Sequence, residues 1–232
     1  MASRYNRQEM MPEIGPEGQQ RLHKARVLQV GVGGLGSPIS LYLTGAGIGS
    51  LTLVDDDKVS LDNLHRQILY SEDLLGQTKV VEAKRRLEAL NSEVEITAHD
   101  CRLTRENMRE LAQGCDLIMD GCDNLPTRYL LDDLSRALGI PYCHGAVQGL
   151  RGQCAFFGGR SDSPRYRDLY PDEEAALSLP HPGKEIIGPT AGLVASVMAA
   201  QAICYLAGQR PSLDGRLWTI DLGSMESFTI DL

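Results

Sequence analysis

The sequence has no uninterrupted apolar run of about 18 residues, the length that a bilayer-spanning helix needs, so no membrane partner is expected. Its opening, Met1-Ala2-Ser3-Arg4-Tyr5, lacks the basic-then-apolar pattern of a secretory leader, and the expected location is the cytoplasm. Basic residues are the minority, 23 Lys and Arg against 31 Asp and Glu, for a formal net charge of −8. Nucleic-acid surfaces usually carry a basic face, so none is expected as a partner, although a local cluster can still hold phosphate. The cysteines are Cys101, Cys115, Cys122, Cys143, Cys154 and Cys204, and no two stand in C-x-x-C spacing. That excludes the usual zinc knuckle and the dithiol redox motif.

What is present is an ordinary globular balance, with 42% hydrophobic and 23% charged residues in 232. The expected organisation is one unit over 1–232, with a nucleotide-binding half at 1–145 and a crossover loop, helix and terminal strands at 146–232. Polar residues from Arg4 to His23 predict a short helix ending near Lys24. The run Val27 to Val30 leads into Gly31-Val32-Gly33-Gly34-Leu35-Gly36, then helical spacing to Ala46, then Ser50 to Val54 and three aspartates, Asp55, Asp56 and Asp57. This is one strand–turn–helix–strand unit. Further helices are predicted over 79–90, 104–112, 127–138 and 191–206, and strands over 94–97, 117–119, 153–157, 216–221 and 226–230. Segment 158–188 is rich in Gly, Pro, Ser and charge, and too long for an ordinary connection. The alternation predicts an α/β fold: a doubly wound, mostly parallel, Rossmann-like sheet with helices on both faces and an antiparallel C-terminal extension.

The turn Gly31-x-Gly33-Gly34-x-Gly36 lets backbone N–H groups approach phosphate at a helix N-terminus. Alone it fits an NAD or FAD enzyme equally well, with Asp55 at the second strand end holding ribose hydroxyls. The next loop, Asp62-Asn63-Leu64-His65-Arg66-Gln67, shifts the balance towards a triphosphate. Asn63 can donate to a phosphate oxygen and Arg66 can neutralise one. Lys79 opens the following helix, and Asp123-Asn124 follow a later strand that ends on the same crevice. A carboxylate, two cations and a glycine turn suit Mg²⁺-ATP.

With Arg4-Tyr5-x-Arg7-Gln8, Gly31 to Ser37, Asp62 to Gln67, Gly76-Gln77-x-Lys79, and Asp120-x-x-Asp123-Asn124 with Arg128, the chain resembles the ThiF/MoeB/HesA group of the ubiquitin-activating-enzyme superfamily. The resemblance runs in register over nearly the whole chain. It implies ATP-driven adenylation of a carboxylate with release of pyrophosphate. Asp55 would hold ribose, and Gly33, Gly34 and Gly36 would abut the nucleotide. The loop Asp62, Asn63, Leu64, His65, Arg66 and Gln67, with Lys79, would hold phosphates. Asp123 would position Mg²⁺, with Asn124 beside it. Arg7, Arg66, Lys79 and Asp123 are the implied catalytic set, and Arg7 resembles an arginine reaching the partner's site in a homodimer. The family usually has Ser where Asp62 stands.

Two family features are missing. Members with structural zinc carry two C-x-x-C pairs; the first would fall at Arg165 to Asp168, where Arg and Asp stand instead, and the second beyond Leu232. Zinc is expected to be absent. Members that form a thioester place a cysteine in the crossover loop near Pro182, and no cysteine lies between Cys154 and Cys204; a prolyl ring cannot act as nucleophile. His181 and Lys184 are read as exposed loop residues or contacts to a substrate carboxylate. Cys122, inside the Asp120–Asp123 motif, is expected to stay a thiol beside anionic groups. Cys143 and His144 are strand neighbours pointing to opposite faces, so they form no dyad.

The expected substrate is the C-terminal Gly-Gly carboxylate of a ubiquitin-like sulfur carrier of the thiamine or molybdopterin type. A small-molecule carboxylate and a catalytically silent, nucleotide-binding dimer partner are the alternatives.

Overall fold

Short aliphatic runs alternating with glycine turns and helical spacing build a parallel sheet, and the computed structural model, which describes residues 4–159, 162–178, 183 and 185–232, contains one. Its strands are β1 (Arg26–Val30), β2 (Ser50–Asp55), β3 (Glu95–Asp100), β4 (Leu117–Asp120), β5 (Tyr142–Gln148), β6 (Arg151–Phe157), β7 (Arg216–Asp221) and β8 (Glu226–Asp231). Their spatial order is β3-β2-β1-β4-β5-β6-β7-β8. Strands β1 to β5 run parallel; β6, β7 and β8 are antiparallel to their neighbours. The winding reverses between β1 and β4, so a crevice opens beyond their carboxyl ends.

The helices are α1 (Asn6–Glu9), α2 (Gly15–Leu22), α3 (Gly36–Ala46), α4 (Lys79–Leu90), α5 (Met108–Leu111), α6 (Leu125–Leu138), α7 (Tyr166–Leu169), α8 (Glu173–Ser178) and α9 (Gly188–Leu206). Because successive strand residues face opposite ways, each strand feeds two cores. Val27, Leu117, Met119 and Cys143 pack with Ile39 and Leu43 of α3, Val80 and Leu87 of α4, and Val194 and Met198 of α9. Leu28, Ile118 and Tyr142 pack on the other face with Tyr129 and Leu134 of α6 and Tyr166 of α7. Helix α9 is long and apolar enough to cross a bilayer, yet its Val194, Ala195 and Met198 are buried against the sheet.

Several expectations shift. The predicted helix over 104–112 is only Met108–Leu111. Thr104 N–H donates to Asn107 Oδ1 at 2.8 Å while Asn107 N–H donates to Thr104 Oγ1 at 3.4 Å, and this reciprocal pair closes a turn ahead of the helix. Strand β3 begins and ends later than predicted, and α9 begins at Gly188, three residues early. Within these helices the apolar Val81, Leu90 and Leu193 are exposed, because the turns of α4 and α9 give the buried stripe to Val80, Ala83, Leu87 and Val194.

Segment 158–188 carries α7 and α8. At the place where the first zinc pair would fall, Arg165 N–H donates to Asp168 Oδ2 at 2.7 Å. Arg167 pairs with Asp133 at 3.0 Å and Glu173 at 2.6 Å and lies over the Tyr129 ring. His181, Pro182 and Lys184 lie outside the described residues.

Two glycines set the approach of β1 to β4. Gly31 has φ +90°, and a Cβ there would overlap the Gly121 carbonyl; a Cβ on Gly36 would overlap the Gly31 carbonyl. Gly31→Ala therefore combines a disfavoured backbone region with a backbone clash. It is expected to lower stability by about 3 kcal/mol or more, read from the denaturation midpoint.

Candidate active site

The glycine turn is braced from beneath. Gln29, fully buried in β1, donates from Nε2 to the Gly31 and Gly36 carbonyls, both at 3.0 Å. Val32 N–H donates to Asp55 Oδ2 at 2.8 Å, and Asp57 N–H donates to Asp55 Oδ1 at 2.9 Å. Burial raises the Asp55 carboxyl pKa against these two N–H groups and Lys79. Gly33 and Gly34 form the open side of the turn. The nearest groups to a Cβ on each would be Gln67 Nε2 and the Arg66 methylenes, both at 3.4 Å.

Arg66 thus lies over Gly34, with Ala191 of α9 beside it. Its Nη1 donates to the Asp62 carbonyl at 3.1 Å and to His65 Nε2 at 2.7 Å. Asn63 Oδ1 accepts from Gln67 Nε2 at 2.5 Å, and Asn63 Nδ2 donates to Asp62 Oδ1 at 2.9 Å. The Ser60 hydroxyl and this Asn63 amide hold the exposed Asp62 carboxyl below its usual range. Leu64 packs against the core, so that residue presents only backbone to the crevice. Lys79 is buried, with Nζ 2.8 Å from Asp57 Oδ2. The lysine predicted to meet phosphate is therefore held by a carboxylate in this state.

Beyond β4 the site rests on a buried carboxylate. Asp120 accepts from Arg128 Nε at 3.3 Å, the Tyr142 hydroxyl at 2.8 Å, His144 Nδ1 at 2.8 Å and Cys122 N–H at 3.0 Å. Burial alone would raise its pKa, but Arg128 first and then His144 bring it down to about 2. Arg128 also donates to the Cys122 carbonyl at 3.1 Å and the Gly145 carbonyl at 3.2 Å, which fixes the loop bearing exposed Asp123. Asn124 is mainly a helix cap: its Oδ1 accepts from Thr127 N–H at 3.0 Å. Burial, then Asp120, raises the Cys122 thiol well above its usual range. Cys143 and His144 do point to opposite faces, the thiol towards the Met198 carbonyl and the ring towards Asp120.

Arg7 is not in this crevice. Its neighbour Gln8 and Gln19 of α2 both donate to the Ala46 carbonyl, at 3.1 and 2.9 Å. Ala46 ends α3, whose first residue closes the glycine turn, and 11 helical residues span about 16 Å. Exposed Arg7 thus sits at the amino edge of the sheet, a helix length from the turn of its own chain.

A model of the ThiF family matches residues 5–232. The chain belongs to the ThiF family. It is 41% identical over 223 residues to the sulfur carrier protein adenylyltransferase of Thermus thermophilus, covering 94% of this chain and 82% of that one. To the SAMP-activating enzyme E1 of Haloferax volcanii it is 38% identical, covering 98% and 84%. A probable adenylyltransferase/sulfurtransferase MoeZ of Mycobacterium tuberculosis is 37% identical and longer, the chain spanning 60% of it. The fold matches Escherichia coli MccB solved with ATP, with a TM-score of 0.83 at 20% identity over 100% of this chain and 71% of that one. It also matches PaaA, at 0.84 and 23% over 98% and 72%.

The motifs brought Gly33, Gly34, Asp55, Asn63, Arg66, Gln67, Lys79 and Asp123 to one sheet edge; Gly36 serves the turn's packing. Sequence reasoning missed Gln29 and the partners of Asp57 and His144. A glutamine and a histidine inside apolar strands are the signal it passed over.

Burial holds the His144 imidazole pKa below 6.5 despite Asp120. Below that pH the unfolded chain takes up a proton that the folded chain refuses, so stability is expected to fall as pH drops below 6.5. Asp120, depressed from 3.8 to about 2, adds a second loss as pH falls through that interval. His144→Gln should remove the first limb and, by taking away one of the groups that hold Asp120 ionised, reduce the second, as measured by denaturation midpoints across the range.

Proposed function

We propose that this ThiF-family chain is an adenylyltransferase that uses ATP and Mg²⁺ to activate the C-terminal carboxylate of a small ubiquitin-like sulfur-carrier protein. The observation that carries the reading is the union of a glycine turn, Arg66, Lys79 and the strand-end carboxylate Asp123 at one crevice. It stands in a chain 41% identical to a named sulfur carrier protein adenylyltransferase.

The residues fit the substrate. The turn lacks side chains at Gly33 and Gly34, where a triphosphate must approach the backbone. Asp123 is an exposed oxygen donor of the type Mg²⁺ prefers. When bound there, Mg²⁺ supplies charge neutralisation on the phosphates. A carboxylate oxygen attacks the α-phosphorus, the bond to the bridging α–β oxygen breaks, and pyrophosphate leaves. Arg66 neutralises the charge that builds on non-bridging oxygens, and Lys79 does so once it exchanges Asp57 for phosphate. Cys122 takes no covalent part, since its thiol is buried and held protonated. An external sulfur donor then attacks the acyl carbon, the bond to the phosphate oxygen breaks and AMP leaves, a step that requires no cysteine in the crossover loop.

The placement of Arg7 supports a homodimer. An arginine at the amino edge, a helix length from its own turn, is placed to reach a neighbouring copy's crevice rather than its own. Exposed apolar residues on α3 and α9, among them Tyr42 and Leu193, offer a surface for a second copy.

Asp123→Ala is expected to abolish ATP–pyrophosphate exchange driven by a Gly-Gly-ended carrier while leaving the circular dichroism spectrum unchanged. Full exchange in that variant would remove Asp123 from the chemistry. Exchange with a small carboxylate but with no carrier would move the enzyme to small-acid activation. Arg7→Ala should also be inactive, and mixing it with Asp123→Ala subunits should restore up to about a quarter of wild-type exchange, because each mixed dimer holds one intact site. No recovery on mixing would count against the shared site.

A further inference from the structure

Val32 is the second residue of the glycine turn, and both of its backbone polar groups are engaged. Its N–H donates to Asp55 Oδ2 at 2.8 Å; its carbonyl accepts the Tyr70 hydroxyl at 3.0 Å and the Ser37 hydroxyl at 3.2 Å. From each side a path leads to Lys79. On the acidic side Asp57 N–H donates to Asp55, the Asp57 carboxylate pairs with Lys79 Nζ at 2.8 Å, and Lys79 N–H donates to the Asp57 carbonyl at 3.0 Å. On the other side the Tyr70 oxygen lies 3.4 Å from the Lys79 carbonyl. Tyr70 is 8% exposed and belongs to the same core cluster as Leu69 and Val80.

The two paths respond differently to a bound triphosphate. Phosphate oxygens compete with the Asp57 carboxylate for the Lys79 ammonium, so the acidic path loses its ion pair when the lysine turns to substrate and keeps only its backbone bond, from Lys79 N–H to the Asp57 carbonyl. The phenol touches only backbone carbonyls, which phosphate does not attract. With two acceptors and one proton it can act there only as a donor. Burial, with Asp55 and Asp57 nearby, holds the phenol well above its usual pKa, so it keeps that proton. The Tyr70 link therefore persists through the exchange.

We propose that Tyr70 is a positioning residue for nucleotide: its hydroxyl, donated to the Val32 carbonyl and held 3.4 Å from the Lys79 carbonyl, keeps the glycine turn against the first turn of α4 and so helps to set the spacing between the turn and the Lys79 ammonium. A triphosphate must reach both, whereas a nucleoside without phosphate needs neither at full precision. The inference rests on the ATP-binding part of the function proposed above and is independent of which carboxylate is activated.

Tyr70→Phe tests it with minimal disturbance, because the ring stays in the core and the Val32 carbonyl keeps Ser37. Loss of one such hydrogen bond is expected to weaken ATP binding about threefold to tenfold, with adenosine binding unchanged within about twofold. Both affinities are read by NMR titration or calorimetry on the full chain. Amide exchange should quicken together in 31–36 and at the start of α4. The KM for ATP should rise with the KM for the carrier unchanged. Equal weakening of ATP and adenosine, unchanged ATP binding, or faster exchange without loss of ATP affinity would each overturn the inference. Wild-type protein that binds ATP but exchanges pyrophosphate with no carboxylate would sink the adenylation reading and leave this comparison intact.

Discussion

A single negative charge, buried where β4 ends, organises the crevice. The Asp120 carboxylate is removed from water, and a bare ion there would be strongly disfavoured. It is stable because Arg128, Tyr142, His144 and the Cys122 N–H converge on it. Satisfying that charge has geometric results. Arg128 draws α6 onto the end of β4, His144 fixes the face that β5 presents, and the loop carrying Asp123 is tied by its Cys122 carbonyl to the same guanidinium. A residue whose own oxygens never reach solvent thus determines where the exposed Asp123 carboxylate stands.

The opposite wall of the crevice uses the same device in the open. Asp55 takes one N–H from the glycine turn and one from Asp57, so the end of β2 and the turn after β1 share one carboxylate. Asp57 in turn keeps Lys79 in place. In a chain of net charge −8, the few cations at this edge are each oriented by acidic or carbonyl partners before any substrate arrives. Donors held in this way start close to where they are needed, although Lys79 must first release Asp57.

Much of this was legible in the sequence. The strand boundaries at 216–221 and the helix at 79–90 follow from short apolar runs and 3.6-residue spacing, which report burial directly. The glycine turn was legible because no other residue fits φ +90° beneath a carbonyl. What periodicity could not report were the partners of polar groups that are distant in sequence. The hold of Asp57 on Lys79 and the two faces of the Val32 peptide depend on which strand ends lie side by side. The truncated helix at Met108 failed for a related reason: Thr104 and Asn107 satisfy each other locally, and a spacing pattern does not register that competition. Val81 and Leu193 show the converse: apolar character alone does not report burial.

The Cys122 thiol is enclosed between Asp120 and the loop that follows β4, and it donates its proton to that carboxylate. Peroxide and electrophiles attack thiolates rather than thiols, and they need access to the sulfur. This sulfur atom stands next in sequence to the exposed Asp123, in a family that includes proteins named for sulfur carriers. Its burial and its anionic neighbour make it chemically quiet. The nucleotide site can therefore stand beside sulfur chemistry, and withstand oxidative stress, without being capped or cross-linked by it.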